Sequence, residues 1–220
     1  MPLKLYYHPL SSYCHKVLIA LYENGTPFET QLVNLGDAKE RQDFVKLWPI
    51  GKFPVIRDEE RGQTIPESSP IIEYLGRHYP GPVALVPQDA ELAWQVRAKD
   101  RFLDLYVHME MQKVVGDQLR PADSKDPFGV KQARDRIATC YDMLERDLAS
   151  KTLASKIWIA GDTFTMADCS AAPALFYAHK VQPFEATHPN LKAYFGRLLE
   201  RPSYKRTLDE AKPYFHLFPK

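Results

Sequence analysis

The sequence predicts an α/β unit of order βαβαββα followed by an all-helical unit, and three observations carry that expectation. Strand and helix patterns alternate up to about Leu75, strand patterns vanish beyond about Ala90, and Tyr79-Pro80-Gly81-Pro82 breaks the pattern between them. The boundaries expected are 1–81 for the first unit and 88–220 for the second, with the run through Pro87 as linker.

Leu3, Leu5 and Tyr7 alternate as one face of a short strand. A helical pattern follows from about Ser12 to Asn24, where Cys14, Val17, Leu18 and Leu21 recur at i, i+3, i+4 and i+7, and Gly25 stops it. Phe28 to Val33 is the next strand; joined through a helix, it is expected to lie parallel to the first by a right-handed crossover. A short helix over Lys39–Lys46 precedes strands at Phe53–Arg57 and Gln63–Ile65, which the turn segment Asp58–Gly62 folds into an antiparallel hairpin. Ser69-Pro70 is read as the N-cap and first-turn pair of a helix whose apolar side is Ile71, Ile72, Tyr74 and Leu75.

In the second unit, Leu92, Val96, Leu103, Val107 and Val114 keep helical spacing, as do Ile137, Cys140, Tyr141, Leu144 and Leu148. Thr165 with Asp168 three residues on forms a capping box that uses Asp in place of Glu, with Phe164 and Cys169 as the accompanying staple. The helix it opens carries Ala171, Ala172, Ala174, Leu175 and Ala178 and is apolar on every side, so it is expected at the centre of the unit. Pro173 inside it is expected to bend it locally.

Composition excludes several functional classes. With 29 basic against 28 acidic residues and a net charge of +1, no electrostatic feature favours nucleic acid or an anionic membrane as partner. No stretch approaches the roughly 20 apolar residues of a spanning helix, and the N-terminal residues have no signal-like apolar run, so a cytoplasmic protein is expected. Three widely spaced cysteines, Cys14, Cys140 and Cys169, suit neither a disulfide framework nor a zinc cluster. No metal, flavin or nucleotide motif occurs.

Three segments have chemistry to offer. Ser11-Ser12-Tyr13-Cys14 opens the first helix, where unpaired N–H groups and the dipole favour an anion and a hydroxyl can hydrogen-bond a thiolate. Alone, the tetrapeptide reads as an N-cap first and a thiolate site second, and Cys14 reads as buried packing before it reads as a reactive thiol. Gly51-Lys52-Phe53-Pro54-Val55 puts a proline at a strand start; a cis bond there would present the Phe53 backbone to an extended ligand, while base rates favour trans. Pro66-Glu67-Ser68-Ser69-Pro70 sets a carboxylate and a hydroxyl before a helix N-terminus, a pair able to grip an amino-acid head group or merely to cap the helix. His8 and His15 receive no role.

Taken in this order, the segments and the capping box resemble the soluble glutathione transferase family along nearly the whole chain. The resemblance implies a thioredoxin-like first domain, and Ser11-x-x-Cys14 sets serine where glutaredoxin-like proteins carry the first cysteine of C-x-x-C, as in the serine-type classes (theta-like, zeta-like or bacterial). It implies that Ser11 activates glutathione, that Phe53 and the cis Pro54 bind its cysteinyl backbone, that Glu67 and Ser68 bind its γ-glutamyl end, and that Lys52 lies near its glycyl carboxylate. Thr165 and Asp168 match the family's structural capping box. The stretch Trp48-Pro49-Ile50-Gly51-Lys52 departs from the family's usual Asn-Pro-x-Gly-Lys, and Tyr13 stands where the zeta pattern Ser-Ser-Cys has its third residue.

The function so implied is conjugation of glutathione, as thiolate, to a small hydrophobic electrophile, a detoxifying transfer that uses glutathione as co-substrate and no metal. Tyr106, Met109, Met111 and Val114 are candidate residues of the electrophile pocket, with ordinary core packing as their alternative. The family usually forms homodimers. Two other functions remain open: a thiol oxidoreductase or peroxidase using Cys14, and a non-catalytic protein-binding module of the same fold.

Overall fold

The computed structural model describes residues 2–150, 157–184 and 187–219. Strands β1 (Leu3–Tyr7), β2 (Glu29–Leu32), β3 (Val55–Asp58) and β4 (Gln63–Pro66) form a mixed sheet in the order β2-β1-β3-β4. The β1–β2 pair is parallel, whereas β3 runs antiparallel to both β1 and β4. Helices α1 (Ser12–Glu23), α2 (Ala38–Leu47) and α3 (Ser68–His78) complete the predicted βαβαββα order of a thioredoxin-like domain. The rest is helical: α4 (Ala90–Phe102) runs through a π-turn at Leu103–His108 into α5 (Met109–Gln118), followed by α6 (Pro127–Ala149), α7 (Met166–Val181), α8 (Pro189–Glu200) and α9 (Pro202–Ala211). A 3-10 segment, Lys212–Leu217, follows α9. None of these helices is long and apolar enough to cross a membrane.

Local chemistry sets most helix starts. Asp37, Asp89 and Asp126 cap α2, α4 and α6 by accepting backbone N–H bonds of 2.8–2.9 Å. At α7 the capping box forms: the Asp168 carboxylate accepts from the Thr165 N–H at 2.9 Å and also from Ile159 N–H and the Tyr194 hydroxyl. Burial pushes the Asp168 carboxyl up, against these hydrogen bonds. Phe164 and Cys169 are both buried in the surrounding core. Helix α7 is central, as its all-round apolar sequence predicts, with its small residues letting α1, α4 and α5 pack closely.

Helix α3 corrects the expectation for Ser69. It begins at Ser68 with Glu67 in the cap position and Pro70 still in the first turn, where its missing N–H is an orphan anyway. Ser69 is no cap because its hydroxyl is engaged elsewhere, accepting from Lys16 Nζ at 2.7 Å and donating to Asp100 at 2.7 Å.

Helix α1 is the joint between the two halves. Val17, Leu18 and Leu21 pack with Leu3, Leu5, Ile56, Ile71 and Leu75 against the sheet. Its opposite side delivers Ile19 and Ala20 to the large helical core. Consequently α1 is buried from Cys14 to Leu21, and the stripe read from the sequence is only one of two packed faces. A third small core, Val33, Phe44 and Val55, fills the other side of the sheet under α2.

Candidate functional site

Strand register brings the three chemical segments together. Tyr6 pairs with Val55, and Val55 with Pro66, so one row crosses β1, β3 and β4. The chain leaves that row on the same end of the sheet in all three strands: forward from β1 to Ser11, backward from β3 to Pro54, Phe53 and Lys52, and forward from β4 to Glu67 and Ser68. A ring contact between His8 and Phe53 at 6.1 Å closes the first gap, and the Lys16–Ser69 hydrogen bond closes the second.

Ser11 is half-buried and caps α1, its Oγ accepting from Cys14 N–H at 3.3 Å. Accepting that bond uses a lone pair and leaves the hydroxyl proton to be donated, to the neighbouring Cys14 thiol or to a bound sulfur. Cap and thiolate donor are therefore compatible roles for one side chain, which the tetrapeptide read alone presented as alternatives. Cys14 is fully buried and burial pushes its thiol up to about 12, a poor nucleophile at neutral pH.

The Phe53–Pro54 bond is cis, and among the described residues Phe53 has no backbone hydrogen bond. Glu67 is exposed with φ 70° and ψ 132°, the left-handed half of the map that a non-glycine residue occupies at a cost of about 1–3 kcal/mol. That conformation hands the chain from β4 into α3 with the Glu67 carboxylate in solvent beside the buried Ser68. Lys52 is exposed on the same rim.

Behind the site lies a charge cluster absent from the sequence expectations. Lys16, wholly buried in α1, donates to Ser69 Oγ at 2.7 Å and pairs with Asp100 at 2.5 Å and Asp104 at 2.9 Å. Ser170 of α7 donates to Asp100, and Arg101 pairs with Asp104 at the solvent edge. Burial opposes the charged form of Asp104, but the His108 hydrogen bond and the Lys16 ammonium outweigh it and hold the carboxyl below its ordinary range. His108 is itself pushed down by burial and donates from Nδ1 to Asp104 at 3.3 Å. Tyr13 covers this ring at 4.6 Å and donates its hydroxyl to the Asp104 carbonyl. Asp100, Asp104 and His108 recur every four residues, a polar line inside an otherwise apolar helix pattern that could have signalled the cluster.

The predicted pocket set divides. Tyr106 and Met109 are exposed on the π-turn and the first turn of α5, next to the segment that Tyr13 touches. Met111 and Val114 are buried in the helical core: they follow Val107 at i+4 and i+7 and turn with it against that core, one face away from Tyr106 and Met109. A separate cavity of about 380 Å³ between α5 and α6 shares no residue with the Ser11 site, and its Lys113 and Arg120 are paired with Glu110 and Asp117.

His15, assigned no role from the sequence, is fully buried; burial pushes its pKa down to about 4 against a backbone hydrogen bond to Pro9. An unfolded chain takes up a proton on His15 near pH 6.5 and the native chain does not until about pH 4. Stability therefore falls as pH drops through that window, with about 2 kcal/mol of the loss between pH 7 and 4.5 assigned to His15. Urea unfolding at both pH values is expected to show a shallower loss for His15→Gln than for the wild type; equal losses would refute the assignment.

Comparison with known proteins agrees with the two-part fold. Residues 5–83 match the glutathione S-transferase N-terminal domain family and residues 118–197 its C-terminal domain family. Glutathione S-transferase 3 of Zea mays is 31% identical over 94% of this chain and 93% of its own length. A maleylpyruvate isomerase of Ralstonia sp is 29% identical over 96% of this chain and 99% of its own. The crystal structure of a Methylobacterium radiotolerans glutathione S-transferase in complex with glutathione sulfonate superposes with a TM-score of 0.80 at 26% identity, covering 93% of each chain. Both halves of the fold and the near full-length similarity lead to one conclusion: the chain belongs to the glutathione S-transferase family.

Proposed function

We propose that the protein is a serine-type glutathione transferase that binds glutathione across the end of the sheet and transfers its thiolate to a small hydrophobic electrophile. The observation that carries this reading is the convergence of Ser11, Phe53–Pro54 and Glu67–Ser68 on one end of the sheet, with the Ser11 hydroxyl at the start of α1. Ser11 stabilises the glutathione sulfur as thiolate, aided by the α1 N-terminus. The unpaired backbone of Phe53, beside Pro54, pairs with the cysteinyl unit as an added strand. The Glu67 carboxylate holds the γ-glutamyl ammonium, while Ser68 and the α3 N-terminus hold its carboxylate. Lys52 attracts the glycyl carboxylate. Tyr106 and Met109 are the electrophile-facing residues kept from the expected set.

The burial of Cys14 disfavours the oxidoreductase reading, since a thiol disulfide exchange needs an accessible thiolate. A second reading uses the same site: the extended similarity to an isomerase favours addition of the thiolate to a carbon–carbon double bond, rotation, and expulsion of the thiolate. Conjugation consumes glutathione and isomerisation regenerates it, so product analysis separates the two. We place the protein in the cytoplasm as a homodimer, with the first domain of one subunit against the helical domain of the other.

The test is the ultraviolet difference absorbance of bound glutathione thiolate, titrated against pH in the wild type and in Ser11→Ala. A midpoint well below the roughly 8.5 of a free thiol, restored toward it in the variant, is the expected result. Failure to bind glutathione would sink the proposal and favour a protein-binding module.

A further inference from the structure

The turn that carries Ser11 is held in place from inside the protein. Ser11 N–H donates to His8 O at 2.9 Å and Leu10 N–H to His8 Nδ1 at 3.2 Å, which fixes the upper side of the turn. Pro9 has no N–H, so its carbonyl is its one backbone hydrogen-bonding group. That carbonyl lies 2.6 Å from Nε2 of His15, one turn into α1. Nε2 therefore carries the ring proton and donates it, and the neutral ring presents a bare lone pair at Nδ1.

On its far side the same ring meets the helical domain. Tyr177 of α7 lies 5.6 Å from it and Tyr204 of α9 lies 6.2 Å from it, centroid to centroid. His15 Nδ1 and the hydroxyls of Tyr177 and Tyr204 are buried without a hydrogen-bond partner among the described residues. A phenol O–H is the matching donor for an imidazole lone pair, and a buried polar atom without a partner costs about 1–3 kcal/mol. The Pro9 carbonyl thus selects the tautomer, and the two tyrosine rings confine the imidazole between them.

Resting on the reading of Ser11 given above, we propose that His15 is a positioning residue for Ser11: clamped between Tyr177 and Tyr204, it holds the Pro9 carbonyl through Nε2–H and so sets the Ser11 hydroxyl at the glutathione sulfur. The helical domain thereby fixes a donor that the first domain carries. Such a bond is sensitive to placement, since a misplacement of about 1 Å costs a factor on the order of 100. A histidine that only filled space would be replaced by phenylalanine without effect on the sulfur.

The experiment compares His15→Gln, His15→Asn and His15→Phe with the wild type by titration of the bound glutathione thiolate, alongside glutathione dissociation constants. Gln extends an amide N–H to the place of Nε2, Asn is too short to reach Pro9, and Phe keeps the ring without the donor. His15→Gln is expected to retain the wild-type midpoint, and His15→Asn and His15→Phe to raise it by about one pH unit, tenfold in the thiol equilibrium. If His15→Phe does not fold, His15→Asn, smaller than histidine, carries the comparison. Wild-type midpoints in the Asn and Phe variants would overturn the proposal, as would a His15→Gln midpoint raised equally. A wild type that binds glutathione without lowering its thiol midpoint overturns the Ser11 reading itself, a result visible before any variant is made.

Discussion

Lys16→Met is expected to destabilise the protein by about 3–5 kcal/mol, because it removes one partner from a buried ion cluster and leaves the others behind. Methionine fills the same channel, so the loss is electrostatic and not a packing defect. What remains is Asp100 and Asp104, both nearly inaccessible, with a half-exposed Arg101 as their nearest cation. The Ser69 and Ser170 hydroxyls still donate to Asp100, yet two dipoles do not replace an ammonium at 2.5 and 2.9 Å. Because the cluster spans α1, α3, α4 and α7, the damage falls on the junction of the two domains. Urea unfolding of Lys16→Met and of Lys16→Met with Asp104→Asn checks this: the second change should recover part of the loss by removing one stranded charge. A single variant within about 1 kcal/mol of the wild type would show that solvent reaches the cluster and screens it.

Ser11→Ala is expected to lower kcat/KM with a small electrophile by about 100- to 1000-fold, the range found when one preorganised donor to a developing or resting anion is deleted. Glutathione affinity should change far less, since Phe53, Glu67, Ser68 and Lys52 hold the tripeptide elsewhere. The loss should therefore appear in kcat at saturating glutathione and diminish as pH rises, because hydroxide does at high pH what the hydroxyl does at neutral pH. The same substitution removes the α1 cap and is expected to cost about 1 kcal/mol of stability, which Ser11→Gly largely avoids. Steady-state kinetics of both variants separate the two roles: equal kinetic losses with unequal stability assign the rate effect to the hydroxyl. Full activity in both would exclude Ser11 as the activating group.

Much of this protein was legible in one dimension. The order of strands and helices, the hairpin, the break after α3 and the capping box at Thr165 and Asp168 all rest on interactions within a few residues, which periodicity and cap chemistry report directly. Family membership was legible too, through motifs that are each weak alone. Where a local signal met a tertiary one, the sequence could not foresee the outcome: Ser69 has the chemistry of a cap, until Lys16 and Asp100 claim its hydroxyl.

Tertiary structure decided whatever depended on residues far apart in the chain. Lys16 meets Asp104 across 88 positions, and no pattern around Lys16 announces that its ammonium is buried; it looks like a solvated lysine on an amphipathic helix. His15 looked equally ordinary until α7 and α9 enclosed it. Met111 and Val114 were separated from Tyr106 and Met109 only by which side of the helix the core occupied. The sequence by itself determined the backbone course and the chemical groups available, because those follow from neighbouring residues. The folded structure decided which groups share a site and which charges lose their water, because desolvation and alignment arise only where distant segments pack.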